Sequence, residues 1–147
     1  MQYTKGHSSL RRGRKSQVGF TYHVTFTTRN RTPYLSDFIR ARQFIDVLRE
    51  DEELGYTETL AFVVMPDHVH WLFELRRGSL PKSIKRIKSV FSSKDIERIW
   101  DYGFYDHGIR SDESLIKVAR YIVANPLRAG LVDRVGDYPH WDSVWLE

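Results

Sequence analysis

An α+β sandwich, with antiparallel strands in the middle and amphipathic helices packed on them, is the fold this sequence predicts. Three observations carry it. Two stretches, Val18 to Thr28 and His68 to Leu75, place apolar residues at every second position, the period of a strand with one face on a core. Three others recur at helical spacing: Phe38, Ala41, Ile45 and Leu48; then Leu80, Ile84, Ile87 and Phe91; then Leu115, Val118 and Ile122. A tight turn at Pro66-Asp67 joins two apolar runs, because proline fixes its own φ and pushes the preceding residue towards an extended conformation.

Taken in order, residues 1 to 17, with Gly6, Gly13, Ser8, Ser9 and Ser16 among several cations, read as a flexible basic arm. Val18, Phe20, Tyr22, Val24 and Phe26 then share one face of a strand, and Thr21, His23, Thr25 and Thr27 the other. Thr32-Pro33 breaks that strand, Ser36 is placed to cap the first helix, and the helix ends by Gly55. Thr59 to Met65 is apolar and β-branched and pairs through the turn with the histidine strand. After Gly78 comes a helix whose outer face carries lysines and arginines. Phe104 to Arg110 reads as a short strand. Ser111 caps a third helix, with Asp112 and Glu113 in the first turn, where the helix dipole favours negative charge. Asn125-Pro126 ends it. Strand, helix, hairpin, helix and strand make a sandwich of the ferredoxin-like kind.

The chain of 147 residues is long enough for one domain with a real core, and 41% hydrophobic with 14% aromatic residues argues against disorder. The absence of cysteine excludes disulfides and thiolate metal sites. No apolar run approaches the ~20 residues of a membrane span, and the basic N-terminus lacks the apolar segment of a signal peptide. A cytoplasmic protein without membrane attachment is the expectation. The net charge of +4 hides an uneven distribution. Lys5, Arg11, Arg12, Arg14, Lys15, Arg29 and Arg31 all precede the first acidic residue, Asp37. A second block, Arg76 to Arg98, holds Lys82, Lys85, Arg86 and Lys88. Two separated basic blocks are the footprint of a surface that binds a polyanion, nucleic acid above all.

Beyond the hairpin turn, Val69, Trp71, Phe73 and Leu75 fall on one face of the strand, and His68, His70, Leu72 and Glu74 on the other. Two imidazoles at i and i+2 can aim at one point above a sheet, as a divalent metal requires, or can be two histidines on an exposed strand face. Tyr121 and Asn125 are spaced i and i+4, so they share a helix face set apart from the apolar stripe. Alone, a tyrosine before Asn-Pro is most often packing followed by a helix stop.

Together, Val64-Met65-Pro66-Asp67-His68-Val69-His70-Trp71-Leu72 and the run from Arg120 to Val132 through Tyr121, Asn125-Pro126 and Arg128-Ala129-Gly130 resemble the REP-associated tyrosine transposases. These belong to the single-strand DNA transposases with a His-hydrophobe-His motif and one tyrosine. Tyr22 to Thr25, Tyr105 to Glu113 and Asp137-Tyr138-Pro139 are similar to further segments of that family. The likeness spans nearly the whole chain and implies one domain over residues 1–147. It implies that His68 and His70 hold a divalent metal with Asn125 as third ligand, and that Tyr121 is the nucleophile. It also implies cleavage and rejoining of single-stranded, often hairpin-bearing DNA through a 5′-phosphotyrosine, with magnesium or manganese and no ATP. Imidazole ligands favour manganese over magnesium, so manganese should serve at least as well. Family members draw tyrosine and metal from one subunit or from two, so a homodimer is allowed.

On this reading Arg11, Arg12, Arg14, Lys15, Lys82, Lys85, Arg86 and Lys88 contact DNA phosphates. Unpaired bases stack on an exposed aromatic among Tyr3, Tyr34, Trp100 and Trp141. His23 reads as a surface histidine, Asp67 as a turn residue, and His107 as ordering the loop before the tyrosine helix. The connection from Phe91 to Tyr105 and the tail after Pro139 leave little room for a separate hairpin-binding element. Two other readings remain. One is a DNA-binding module of the same fold without catalysis. The other is a cupin-like metal enzyme, in which Glu74 joins His68 and His70 on one strand face; it lacks the glycine expected where Phe62 stands.

Overall fold

The computed structural model describes residues 16–92 and 98–145. Five strands form one antiparallel sheet: β1 (Thr21–Thr27), β2 (Thr57–Val64), β3 (His68–Leu75), β4 (Tyr105–Ile109) and β5 (Trp141–Ser143). Their order is β4-β1-β3-β2-β5. The first four thus show the strand order of the expected ferredoxin-like sandwich, and β5 extends one edge. The helices are α1 (Phe38–Glu53), α2 (Leu80–Ser92), α3 (Asp112–Val123) and the single turn α4 (Asn125–Arg128).

The sheet is covered on both sides, and the strand period decides what each side receives. Tyr22, Val24 and Phe26 of β1 and Val69, Trp71, Phe73 and Leu75 of β3 face α1 and α2, where they pack with Phe44, Leu48, Ile84, Ile87 and Phe91. The opposite side meets α3: Ala61, Val63 and Leu72 pack there with Val118, Ala119 and Ile122. Register carries the polar residues to this second side. Thr25 pairs with His70 and His23 with Leu72, while His70 pairs with Val63. A bulge at Leu60, between Thr59 and Ala61, breaks the β2–β3 register. Leu60 and Ala61 therefore both pack under α3, while Thr59 accepts a hydrogen bond from the Trp71 indole at 2.9 Å.

Several local expectations are corrected. β1 begins at Thr21, not Val18, because residues 18 and 19 turn, with Gly19 at φ 90. Val18 and Phe20 are exposed in consequence. Asp37 rather than Ser36 caps α1, accepting from the Arg40 N–H at 3.0 Å. Ser36 instead ends a 3-10 turn and donates to the Pro33 carbonyl at 2.8 Å, a local bond that serines readily make. Phe38 is 57% exposed, and the buried stripe of α1 runs through Ala41, Phe44, Ile45, Val47 and Leu48. Asn125-Pro126 ends α3 but opens α4, since proline is tolerated in a helix's first turn. Among the expected arm residues, Ser16 and Gln17 are anchored: Ser16 Oγ accepts from the Leu80 N–H at 2.9 Å, and the Gln17 N–H donates to the Tyr22 hydroxyl at 2.9 Å. Arg11, Arg12, Arg14 and Lys15 lie outside the described residues.

One buried charge joins α1 to α2. Asp51 is 3% exposed and accepts from Arg86 Nε at 2.5 Å, from Arg86 Nη2 at 3.2 Å and from the Thr57 hydroxyl at 2.6 Å. Arg86 also lies over the Tyr56 ring, 3.8 Å from its centroid. Asp51→Ala would leave this guanidinium without its counter-ion, and removing one member of a buried pair costs about 3 kcal/mol or more. A matching drop in unfolding free energy is expected in a urea titration.

Candidate active site

Above the sheet, under α3, the structure gathers His68, His70, Tyr121 and Asn125. Strand alternation sets His68 and His70 on the same side, with ring centroids 5.2 Å apart. One helical turn sets Tyr121 and Asn125 above them. The Tyr121 ring lies 6.2 Å from that of His70, and Asn125 Nδ2 lies 3.4 Å from His68 Nε2. Tyr121 is half-buried. Arg128, on α4, returns over the phenol: its guanidinium carbon is 3.9 Å from the ring centroid, and Nη2 donates to the Tyr121 carbonyl at 2.7 Å.

Each imidazole of the pair is held by its Nδ1 side. His68 Nδ1 donates to Asp67 Oδ1 at 2.8 Å, and Asp67 Oδ2 accepts from Arg31 Nε at 3.0 Å. Asp67 therefore orients a ring as well as serving the turn. Arg31 reaches it from a left-handed backbone with φ 54, a conformation that costs a non-glycine residue about 1 kcal/mol and tends to persist at functional sites. His70 Nδ1 lies 3.0 Å from His23 Nε2 and 3.1 Å from the Thr25 hydroxyl. His23 is fully buried, which corrects its reading as a surface histidine. In the tautomer with Nδ1 protonated, each ring would turn its Nε2 lone pair towards a ligand.

Electrostatics keep these rings neutral. Burial, helped by the charge of His107, pushes His23 down to about 3. Burial holds His70 well below the ordinary histidine value, with smaller contributions from His23, His68 and Arg128. His68 is lowered too, again by burial, although Asp67 opposes the shift. For Asp67 itself burial acts upward, but hydrogen bonds from His68 and Arg31 outweigh it and hold the carboxyl below its usual value. Neutral imidazole is the form that coordinates a metal.

A stability consequence follows. The unfolded chain protonates these histidines near 6.5, whereas the folded chain resists, His23 down to about 3. Their contribution is complete above the unfolded value and is lost as pH falls towards the folded one, at about 1.4 kcal/mol per pH unit for each neutral ring. Urea midpoints measured with chelator at pH 7.5 and pH 5 should fall accordingly, and less steeply in His23→Gln.

The donor set fits a divalent cation. Two neighbouring imidazoles and the Asn125 amide lie together there, the amide offering oxygen once it is turned over. Among the described residues no group of three His, Cys, Asp or Glu side chains is arranged to hold a metal, so the amide would have to complete the set. The cupin-like arrangement is overturned: Glu74 pairs with Arg76 at 3.3 Å, and the sheet is open, with helices on both sides.

The basic residues fall elsewhere. α2 packs on the opposite side of the sheet from Tyr121. Two of its cations serve internal partners, Arg86 as above and Lys88 with the carbonyls of Asp101 and Gly103 at 3.0 and 2.7 Å; Lys82 and Lys85 are exposed. The aromatic expectations are likewise revised. Trp100 is 4% exposed, and Tyr34 and Trp141 are partly buried against the core clusters. Tyr3 lies outside the described residues. Among the described residues the most exposed ring is Tyr102, at 81%, which only its setting in Asp101-Tyr102-Gly103, a turn sequence, could have singled out.

Comparison with known proteins is informative. The profile of the IS200-like transposases matches residues 16–125. A Haemophilus influenzae protein assigned as a REP-associated tyrosine transposase is 29% identical over 140 residues, covering 83% of this chain and 78% of its own. The REP-associated tyrosine transposase of Escherichia coli K12 is 29% identical over 126 residues, covering 82% and 74%. A solved structure of a REP-associated tyrosine transposase bound to a REP hairpin superposes with a TM-score of 0.73 at 29% identity, covering 87% of this chain and 79% of that one.

Proposed function

The chain belongs to the IS200-like transposase family, and from that premise we propose that it cleaves and rejoins single-stranded DNA through a covalent bond to Tyr121. The placement of the phenol 6.2 Å from His70, with Asn125 of the next turn beside His68, is the observation that supports this reading most. The Tyr121 oxygen attacks a backbone phosphorus, a phosphotyrosine ester forms to the 5′ end of one fragment, and the other fragment leaves with a 3′-hydroxyl. The ester conserves the phosphoryl bond, so the same hydroxyl, or that of another strand, can reverse the step.

Each neighbouring group has a task. His68 and His70 would hold magnesium or manganese through Nε2, with Asn125 Oδ1 as third ligand; the bound cation supplies Lewis-acid polarisation of the phosphate. Asp67 fixes His68, and His23 and Thr25 fix His70, so that neither ring rotates away. Arg128 sets a fixed cation over the face of the Tyr121 ring. The exposed Lys82 and Lys85, with Arg11, Arg12, Arg14 and Lys15, would add phosphate contacts remote from the chemistry. The substrate proposed is a REP-type hairpin, the DNA partner of the structural relative, here taken with single-stranded flanks.

The test is an oligonucleotide hairpin labelled in turn at each end and incubated with manganese. A denaturation-resistant protein–DNA adduct should retain the fragment 3′ to the cut and release the other with a 3′-hydroxyl. Tight binding with no adduct would assign the chain instead to the non-catalytic modules.

A further inference from the structure

The molecule carries a second set of features that this chemistry does not use, and they converge on Tyr102. The residue is 81% exposed, and what distinguishes it from an isolated surface aromatic is its setting between a cation and two cavities. The Arg98 guanidinium lies 3.9 Å from the ring centroid and is itself fixed by a 3.0 Å bond from Nε to the Trp100 carbonyl. One side of the ring thus has a cationic backing, and the other is open.

Tyr102 also stands between two cavities. The first, of about 390 Å³, is lined by Lys85, Lys88, Arg98, Trp100 and Phe104 beside Tyr102. The second, of about 220 Å³, is lined by Tyr102, Thr27, Arg31 and Tyr105. Each of the last three lies one or two links from the paired imidazoles. Thr27 is the register partner of His68; Arg31 holds Asp67, which holds His68; and Tyr105 pairs with Thr25, whose hydroxyl meets His70. The path therefore runs from the α2 side of the sheet, around Tyr102, to the edge of the histidine pair. Its charge is positive on balance, with Lys85 and Arg98 against Asp101, while Arg31 is paired with Asp67.

We infer that this path is the track of an unpaired DNA strand, on which Tyr102, backed by Arg98, stacks one base while the flanking cations take its phosphates. A ring with an open π-face beside spaced cations is the chemistry that single-strand binders use, and it tolerates any base. An acidic peptide would use the cations but gain nothing from the open ring. The inference rests on the proposed cleavage of single-stranded DNA, because it names how the strand arrives.

The experiment uses the full chain, a blunt hairpin, and the same hairpin with a single-stranded flank carrying 5-iododeoxyuridine at successive positions. Irradiation should crosslink one flank position to Tyr102. Tyr102→Ala should weaken binding of the flanked hairpin about tenfold, the effect of losing one stacked base, so that flanked and blunt hairpins bind alike; Tyr102→Trp should restore the difference. The ring is exposed, so an unchanged melting temperature will confirm that the variants fold. An unchanged affinity in Tyr102→Ala, or crosslinks confined to other residues, overturns the track even when the Tyr121 adduct forms. If no adduct forms but the flank-dependent loss appears, the track stands and the cleavage reading falls.

Discussion

Tyr121→Phe is expected to abolish the protein–DNA adduct while leaving hairpin affinity within about twofold. The substitution removes one oxygen and keeps the ring, so the packing beneath α3 and the Arg128 guanidinium 3.9 Å above are preserved. What disappears is the only atom of that side chain able to bond phosphorus. Loss of a covalent nucleophile typically costs a factor of 10⁴ or more, far beyond the effect of losing a contact. Adduct yield on a denaturing gel and affinity by fluorescence anisotropy measure the two quantities separately. An adduct surviving in Tyr121→Phe would remove this residue from the proposed chemistry.

The second large effect is His70→Ala. His70 is 6% exposed and meets His23, Thr25 and, across the site, Tyr121. Losing one of three ligands should weaken manganese affinity by more than the ~10- to 100-fold seen when only a supporting group is lost. Adduct formation should fall at least as far. Folding should suffer much less, about 1–3 kcal/mol, the usual cost of a void and an orphaned polar partner. Calorimetric titration with manganese and a urea melt separate the outcomes: unchanged metal affinity with a collapsed stability would make His70 a core residue and no ligand.

The site was legible in the sequence to the extent that its parts are local. Alternation placed His68 and His70 on one face, a property of a single strand, and the i, i+4 spacing placed Tyr121 and Asn125 together, which holds across the break between α3 and α4. The hidden parts were those that depend on which elements become neighbours. His23 and His70 are 47 residues apart, and their bond exists only because β1 pairs with β3 in one register. The alternating face of β1 was read as solvent-facing, since nothing in the strand itself announces that α3 covers it. The bulge at Leu60 had the same effect on β2, placing two consecutive residues under one helix against the strand's own rhythm. β5 escaped notice because three residues carry no measurable period. In α2, the cations looked alike on paper. Only the packing separates Arg86 and Lys88, committed to internal partners, from Lys82 and Lys85.

The small bond between Ser16 Oγ and the Leu80 N–H fixes Ser16 at the start of α2. Pro81 and Lys85, further along α2, line the larger cavity beside Tyr102. Ser16 and the cations of that cavity are thereby held near one post. Tethering turns a second encounter with the same polyanion into an intramolecular event at high effective concentration. A post on the far side of the sheet from Tyr121 would let a strand held there and the scissile phosphate be engaged at once, neither standing in the other's way.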